Sequence, residues 1–284
     1  LGGMRALPLE DRQALLTQLA EGEADDGLMV ALGELEPTAE SREALISAIK
    51  NSGAQAAESA TYLLANSAVP GRTEALVGLA REESLTRGVR ASVMLQLSQL
   101  SDGHAPLLEL ARDGSVMAIG RVGLMGNEAV PLLAELARGD DATIARAAIS
   151  GLGSAGTTGA TESLVQLYDG APVETQVEVL RALSPGAGSE GQRLVLSAAV
   201  STEEAVRLQA LQHLRYGFTD SQRAEPLRSA LLGDGTTFSL AVDLVAWEPG
   251  QLSDELLREA LERDDLTSDH RAVLAQALRT YGGR

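Results

Sequence analysis

The chain has 284 residues, of which 40 are Asp or Glu and 23 are Lys or Arg, so its formal net charge is −17. It contains no cysteine, which excludes disulfides and thiolate metal sites. Its aromatic residues are two Phe, one Trp and four Tyr, and its apolar content is mainly Leu and Ala. This composition indicates a globular, helical protein and argues against an all-β fold.

The acidic charge balance bears on possible partners. Nucleic-acid binding depends on clustered Lys and Arg, and anionic membranes repel an acidic surface, so we expect neither partner. No apolar stretch is long enough for a membrane span, so no membrane insertion is expected either. A protein or peptide with a basic or mixed surface fits better. We expect a cytoplasmic location, with export after removal of an N-terminal segment as the alternative.

An internal repeat of about 30 residues runs along the chain. Each unit contains an apolar pair three residues apart near the end of an amphipathic segment. The pairs are Leu16/Leu19, Ile46/Ile49, Leu76/Leu79, Leu107/Leu110, Leu133/Leu136, Leu164/Leu167, Leu196/Ala199, Leu227/Ala230 and Leu257/Ala260. They define nine repeats, approximately 8–35, 41–66, 71–100, 103–126, 128–153, 157–185, 189–217, 220–247 and 253–282.

Each repeat is predicted to be a helical hairpin. The apolar pair ends the first helix, helix A, which in two repeats reads PLLELAR (106–112) and PLLAELAR (131–138). A turn rich in Asp or Gly follows, and helix B then carries apolar residues at i, i+3, i+4 and i+7. One such hairpin cannot bury its apolar face, so neighbours must stack. We therefore predict an all-α, right-handed α-solenoid of about nine stacked hairpins, forming a single domain over 1–284.

A second regularity lies near the start of helix B, where a short polar residue is followed six residues later by Arg. The pairs are Ser84/Arg90, Ser115/Arg121, Asp140/Arg146, Thr175/Arg181, Ser201/Arg207 and Asp265/Arg271. The polar residue is expected to cap the helix, and the Arg to reach carboxylates or carbonyls of an adjacent layer. We predict a structural ladder made of Arg90, Arg121, Asp140, Arg146, Arg181, Arg207, Asp265 and Arg271.

Together with the Pro residues in helix A and the LxxLA ending, this pattern resembles the HEAT repeat family. The resemblance is nearest to the short bacterial repeats of phycobilin-lyase-like proteins, and it is strongest from about Arg72 to Arg215. It implies a scaffold whose B helices line a concave face that binds other macromolecules. An accessory subunit of a phycobilin-lyase-like enzyme, acting on a tetrapyrrole or protein substrate, is the alternative. HEAT-type deoxyhypusine hydroxylases hold iron with His-Glu pairs, and this chain has no such pair.

The resemblance places partner contacts on polar or large B-helix residues that lie outside the apolar stripe. The candidates are Gln96, Gln209, Gln212, His213, Tyr216, Asp243 and Trp247. Trp247 is of particular interest because it is the only Trp, and Trp and Tyr are enriched at interface hot spots. Packing of Trp247 against Pro249 or the next hairpin is the competing interpretation.

No motif predicts catalysis. Two strings match GxGxxG, at 151–156 and 186–191, but both follow a helix B rather than a strand, so we interpret them as turns between repeats. The three His residues are dispersed over three repeats, and no nucleophile motif accompanies them. We expect a non-catalytic protein without cofactor or metal.

Overall fold

A computed structural model describes residues 37–184, 187–233, 235–247 and 250–281. In this part of the chain every regular element is helical. The α-helices are α1 (Ala39–Asn51), α2 (Ala54–Asn66), α3 (Arg72–Arg81), α4 (Arg87–Gln99), α5 (His104–Arg112), α6 (Val116–Val122), α7 (Val130–Leu136), α8 (Ala142–Ala155), α9 (Thr158–Tyr168), α10 (Val173–Ala182), α11 (Gly188–Ala198), α12 (Glu204–His213), α13 (Asp220–Leu231), α14 (Gly235–Trp247), α15 (Gln251–Leu261) and α16 (Ser268–Tyr281). The odd-numbered helices correspond to the predicted A helices and the even-numbered ones to the B helices.

The chain divides into two compact units, Leu1–Leu132 and Leu133–Arg284, which we call the N-terminal and C-terminal units. Each is described separately. The predicted first repeat, 8–35, lies outside the described residues. The expectation of one repeat domain over the whole chain stays a prediction.

In the N-terminal unit, three hairpins stack through their B helices. The hairpins are α1–α2, α3–α4 and α5–α6, and α2 packs on α4, which packs on α6. The core consists of side chains from successive layers, including Leu64, Leu97 and Ile119, each of which is fully buried. Burial of these aliphatic side chains between layers is the main stabilising contribution.

The third hairpin of this unit is shorter than the others. Helix α6 ends at Val122 and continues as a 3-10 segment, Gly123–Glu128, in which Gly126 has φ 65° and ψ −133°. Only Gly adopts this backbone conformation without strain, so the helix stops here. This break accounts for the short spacing that the sequence shows around 111–136.

The C-terminal unit repeats the same architecture over more layers. Its B helices pack in the order α8, α10, α12, α14 and α16, and the A helices α9, α11, α13 and α15 pack beside them. Leu152, Leu180 and Phe238 are among the largest fully buried side chains. Phe238 also stacks on His270 of the next B helix, with ring centroids 4.3 Å apart. Both units therefore have the α-solenoid fold that the periodicity predicts.

Most of the predicted helix caps are wrong. Thr86 rather than Ser84 caps α4, and Asp141 rather than Asp140 caps α8, accepting hydrogen bonds from the backbone N–H of Thr143 at 2.8 Å and Ile144 at 3.0 Å. Helix α16 begins at Ser268, so Asp265 lies before it. Ser115 does cap α6 as expected. Several Ser, Thr and Asp residues near each helix start can act as the N-cap. The one that does so is the residue immediately before the first helical residue.

Most of the GxGxxG string at 151–156, which we interpreted as a turn, lies inside α8, and Gly153 and Gly156 have different roles there. Gly153 does not end a helix but lies inside α8, where a Cβ atom would be 2.5 Å from the carbonyl oxygen of Ala182. The backbones of α8 and α10 therefore approach closely at this point. Gly156, with φ 60°, is the left-handed residue that ends α8.

Ion pairs connect the ends of successive A helices in both units. Lys50 Nζ lies 2.9 Å from Glu82, and Arg228 Nε donates to both carboxylate oxygens of Glu259 at 2.9 Å. Hydrogen bonds from Lys50 hold the pKa of Glu82 below its ordinary value. The partners are about one repeat apart in sequence, so the pairs bridge adjacent layers. These pairs are exposed to solvent, so each contributes little to stability.

Candidate functional site

The solvent-exposed side of the B helices forms the candidate site, and we call it the B face. On each B helix the buried side chains face the stack, and residues on the opposite side recur every four positions, as Arg146, Ser150 and Ser154 do on α8. Because each layer repeats after about 31 residues, corresponding B-face positions of neighbouring helices lie side by side.

An aromatic pair lies on the B face of the C-terminal unit. Tyr216, just after α12, is 57% exposed, and Trp247, the last residue of α14, is 62% exposed. They are one repeat apart in sequence and follow B helices that pack against each other. The guanidinium carbon of Arg215 lies 4.8 Å from the centre of the Trp247 ring, within range of a cation–π interaction.

Gln212 and Asp243 lie one turn before these two aromatic residues and are also exposed. Asp243 and Trp247 share one side of α14 because they are four residues apart in the same helix, whereas Gln212 lies in the last turn of α12 and Tyr216 lies beyond its end. Gln209 is only half-buried and lies one turn earlier on α12. Gln212, Tyr216, Asp243 and Trp247 are thus all exposed and lie on, or just after, two B helices that pack against each other.

His213 is half-buried and packs toward α10. Burial lowers the pKa of its imidazole below the ordinary value of 6.5, and a hydrogen bond to the backbone of Leu180 acts in the opposite direction. The net effect favours the neutral ring at neutral pH. His213 therefore contributes packing between layers more than surface charge.

The prediction that Gln96 contacts a partner is contradicted by its burial. It is only 8% exposed and lies between Met94 and Leu97, two core residues of α4. A partner cannot reach it in this structure. The polar character of its side chain suggested a surface position, but the packed side of α4 is wide enough to include it.

A groove between α8 and α10 carries charge on the B face. It is lined by Ser150, Gly153, Ser154, Glu178, Arg181 and Ala182. Arg181 Nη1 donates to Glu178 Oε1 at 2.8 Å, and Arg146 Nε lies 3.7 Å from the same oxygen. Two cations therefore share one carboxylate, which gives this part of an acidic protein a local positive surplus.

The predicted Arg ladder is wrong as a set of equivalent interactions. Arg146 does reach a carboxylate of the adjacent layer, with its Nε 3.7 Å from Glu178, but its side chain is 67% exposed. Arg207 donates to the carbonyls of Ser201 and Thr202, and Arg271 donates to those of Leu261 at 3.2 Å and Arg263 at 3.0 Å. These two Arg residues thus hold the turn of their own hairpin, not an adjacent layer.

The remaining ladder residues also differ from one another. Arg90 is half-buried, and its Nε makes no hydrogen bond, while Arg121 lies half-buried in the last turn of α6. Asp140 is exposed in the turn before α8. Asp265 accepts hydrogen bonds from Arg263, which hold its pKa below the ordinary value. A six-residue spacing selects positions on different sides of the B helices, so it does not define one structural role.

The B face of the N-terminal unit has a different character. Its exposed large apolar or aromatic side chains are Tyr62 at 57% exposed, Val116 at 43% and Leu124 at 54%, and the charged residues Glu58 and Arg87 are exposed on the same set of helices. Val116, Gly120 and Leu124 recur every four residues along α6 and the 3-10 segment, next to half-buried Ala91 and Leu95 of α4.

Nucleotide, metal and membrane sites were also considered. The first GxGxxG string covers the end of α8 and the turn to α9, with no strand before it. Over the described ranges, no group of three or more His, Asp or Glu side chains could hold a metal ion. The helices in the same ranges are too short or too polar to span a bilayer.

Comparisons with known proteins support the fold. No family model and no curated protein matches the chain, but 40 chains of solved structures do. A Pds5–Scc1 complex is similar with TM-score 0.50 and 10% identity, over 95% of this chain and 56% of that chain. Escherichia coli YibA matches at TM-score 0.46 and 13% identity over 100% of both chains. An archaeal HEAT-like repeats protein from Thermococcus onnurineus NA1 matches at 0.38 and 14%, over 85% of this chain and 97% of that one.

Proposed function

We propose that this HEAT-like α-solenoid is a non-catalytic scaffold that binds a protein or peptide partner through the B face of its C-terminal unit. The observation that carries the proposal is the pair Tyr216 and Trp247, which are exposed at corresponding positions of adjacent layers. An exposed Trp keeps a large apolar surface in contact with water, so a partner that covers it gains favourable free energy. Trp, Tyr and Arg also contribute most of the binding energy at protein interfaces.

The position of the pair on packed helices supports this assignment. Trp247 ends α14, and Tyr216 follows α12 by three residues, so both are held close to regular structure. Arg215 further orders the Trp247 ring by stacking on it at 4.8 Å. A surface ordered before binding loses less entropy on association than a mobile one.

The charges on this face favour a mixed or basic partner surface. Asp243 beside Trp247 suits a cation, whereas Arg146 and Arg181 around Glu178 suit an acidic group. At longer range the net charge of −17 attracts basic proteins and raises their encounter rate. The Pds5 structure that shares this fold contains a protein partner, Scc1, and protein binding is therefore among the uses of the fold.

Site-specific photo-crosslinking tests the proposal. A photoreactive amino acid placed at Tyr216 should capture one defined partner from a lysate of the source organism, in a yield that falls when Trp247 is changed to Ala. The matched control is the same amino acid at Gln166, an exposed position on the A helix α9. Equal capture at both positions, or capture that does not depend on Trp247, would contradict the proposal.

The tetrapyrrole alternative stays a prediction, and a bilin titration separates it from the scaffold. Under our proposal, adding a free bilin leaves its visible absorption spectrum unchanged. A spectral shift that saturates with protein concentration would instead favour a lyase-like role.

A further inference from the structure

We propose that Trp247 and Asp243 together bind an arginine side chain of the partner. This inference rests on the proposed function and names the chemical group that the B face recognises. It follows from the contact that Trp247 already makes and from the position of a carboxylate beside it.

The Trp247 ring is already in contact with a guanidinium. The Arg215 guanidinium carbon lies 4.8 Å from the ring centre, so this contact covers part of the ring. Trp247 is nevertheless 62% exposed, which leaves a large area of the indole open to a second group. The negative quadrupole of an indole face attracts cations, and a planar guanidinium also stacks on it.

Asp243 supplies the second half of the site. It lies four residues before Trp247 on α14, where side chains of one helical turn are neighbours. Its side chain is exposed, and no described residue pairs with its carboxylate. A guanidinium on the open area of the ring can therefore donate two parallel hydrogen bonds to Asp243.

This geometry favours arginine over lysine. An ammonium group is a compact charge that can satisfy either the ring or the carboxylate well, but it cannot stack and bind in a bidentate way at once. An acidic side chain is disfavoured because Asp243 repels it, although Arg215 attracts it.

Two substitutions separate these possibilities by the direction in which each changes the binding affinity. Replacing Asp243 by Asn removes the carboxylate charge, so it should weaken arginine binding and strengthen binding of an acidic group. Replacing Arg215 by Gln removes a neighbouring like charge from the site, so it should strengthen arginine binding and weaken binding of an acidic group.

Fluorescence of the native chain measures this directly, because Trp247 is its only Trp. The probes are three blocked peptides, Ac-Gly-Arg-Gly-amide and its Lys and Glu counterparts, titrated at millimolar concentrations and low salt. We expect saturable Trp emission changes with the Arg peptide, at an affinity at least about threefold higher than for the Lys peptide. D243N should lower the Arg affinity about fivefold to tenfold, and R215Q should raise it about twofold.

Gln166→Glu is the control variant, at an exposed position on the A helix α9. It adds a carboxylate outside the B face, so it should change the ratio of Arg to Lys affinity by less than about twofold. A D243N variant that binds the Arg peptide as wild type does, preference for the Glu peptide, or no response to any of the three peptides overturns the inference.

Failure here is distinguishable from failure of the proposed function. If crosslinking at Tyr216 captures a Trp247-dependent partner but the peptides show no Arg preference, the scaffold function stands and the arginine site does not. If the Arg peptide binds as expected but crosslinking captures no partner, the arginine site stands and the scaffold function does not.

Discussion

The same helical hairpin presents two different B faces in the two units. In the N-terminal unit the exposed positions include charged residues such as Glu58 and Arg87, and the exposed large apolar or aromatic side chains are Val116, Leu124 and a single aromatic residue of the B helices, Tyr62. In the C-terminal unit the corresponding side carries Arg146, Arg181 and Asp243 together with the aromatic pair. Both units keep aliphatic cores between layers, so the packing does not require this difference.

This comparison shows where a repeat protein can vary. Buried positions are constrained in every layer because each hairpin must fill the space against its neighbours. Exposed B-face positions have no such constraint, so their chemistry carries information about function. The exposed aromatic pair of the C-terminal unit is therefore the feature to test first.

The largest expected effect is on partner binding. Trp247→Ala should weaken binding of the partner captured by crosslinking by about 2 kcal/mol or more, a factor of about 30, because a central aromatic anchor is lost. Tyr62→Ala removes an equally exposed aromatic side chain from the N-terminal unit and should change binding by less than about 0.5 kcal/mol. Titration calorimetry measures both. Equal losses of binding free energy in the two variants would show that the B face of the C-terminal unit is not the preferred binding surface.

A second prediction compares one glycine from each unit. Gly153→Ala should lower the free energy of unfolding by about 1–3 kcal/mol, because the new Cβ would overlap the Ala182 carbonyl and force α8 and α10 apart.

Gly120→Ala is its counterpart on α6. Nothing lies within 4 Å of a Cβ at this position, so the better helix propensity of Ala should stabilise the protein by about 0.5–1 kcal/mol. Urea unfolding of both variants decides the matter: the midpoints should move in opposite directions, and a shift of the same sign would contradict the close approach at Gly153.

A third prediction concerns pH. Burial lowers the pKa of His213 in the folded chain below the ordinary 6.5. At a pH between the pKa of His213 in the folded chain and that in the unfolded chain, the unfolded chain binds more protons. The free energy of unfolding therefore falls as the pH drops from about 6.5 toward the pKa of the folded chain. His213→Gln should flatten the dependence of the urea midpoint on pH in this range. A variant with the slope of the wild type would show that folding does not lower the pKa of His213.

The smallest expected effect is at Arg146. Its side chain is 67% exposed and its nearest carboxylate oxygen is 3.7 Å away, so Arg146→Ala should change the free energy of unfolding by less than about 0.5 kcal/mol. Arg207→Ala should cost about 1 kcal/mol because two turn carbonyls lose their donor. A larger loss at Arg146 than at Arg207 would contradict this ranking of an exposed ion pair below hydrogen bonds to turn carbonyls.

Periodicity predicted the hairpins well because it reports burial, which determines the fold. Leu107 and Leu110, for example, form the apolar pair of one repeat and are both buried in α5. The HEAT resemblance is confirmed as a fold for the same reason. Which polar residues of a helix are exposed was harder to predict. Gln96 is buried because the packed side of α4 is wide enough to include it, and its residue type does not show this.

The sequence carried two signals that a search for motifs missed. Opposite charges at the period of the repeat, such as Lys50 and Glu82, predict bonds between successive A helices. Gly153 inside an otherwise regular helix predicts a close approach of backbones. By contrast, the contact between Arg215 and Trp247 joins residues of two layers, and no local pattern in the chain indicates it.

Hydrogen–deuterium exchange of the chain, with and without the captured partner, tests the central claim most directly. If the B face of the C-terminal unit is the binding surface, protection on binding should be greatest around Tyr216 and Trp247, at the ends of α12 and α14. The A helices α11 and α13 of the same layers serve as internal controls and should change little. Protection centred on those A helices, or on α4 and α6 of the N-terminal unit, would contradict the account.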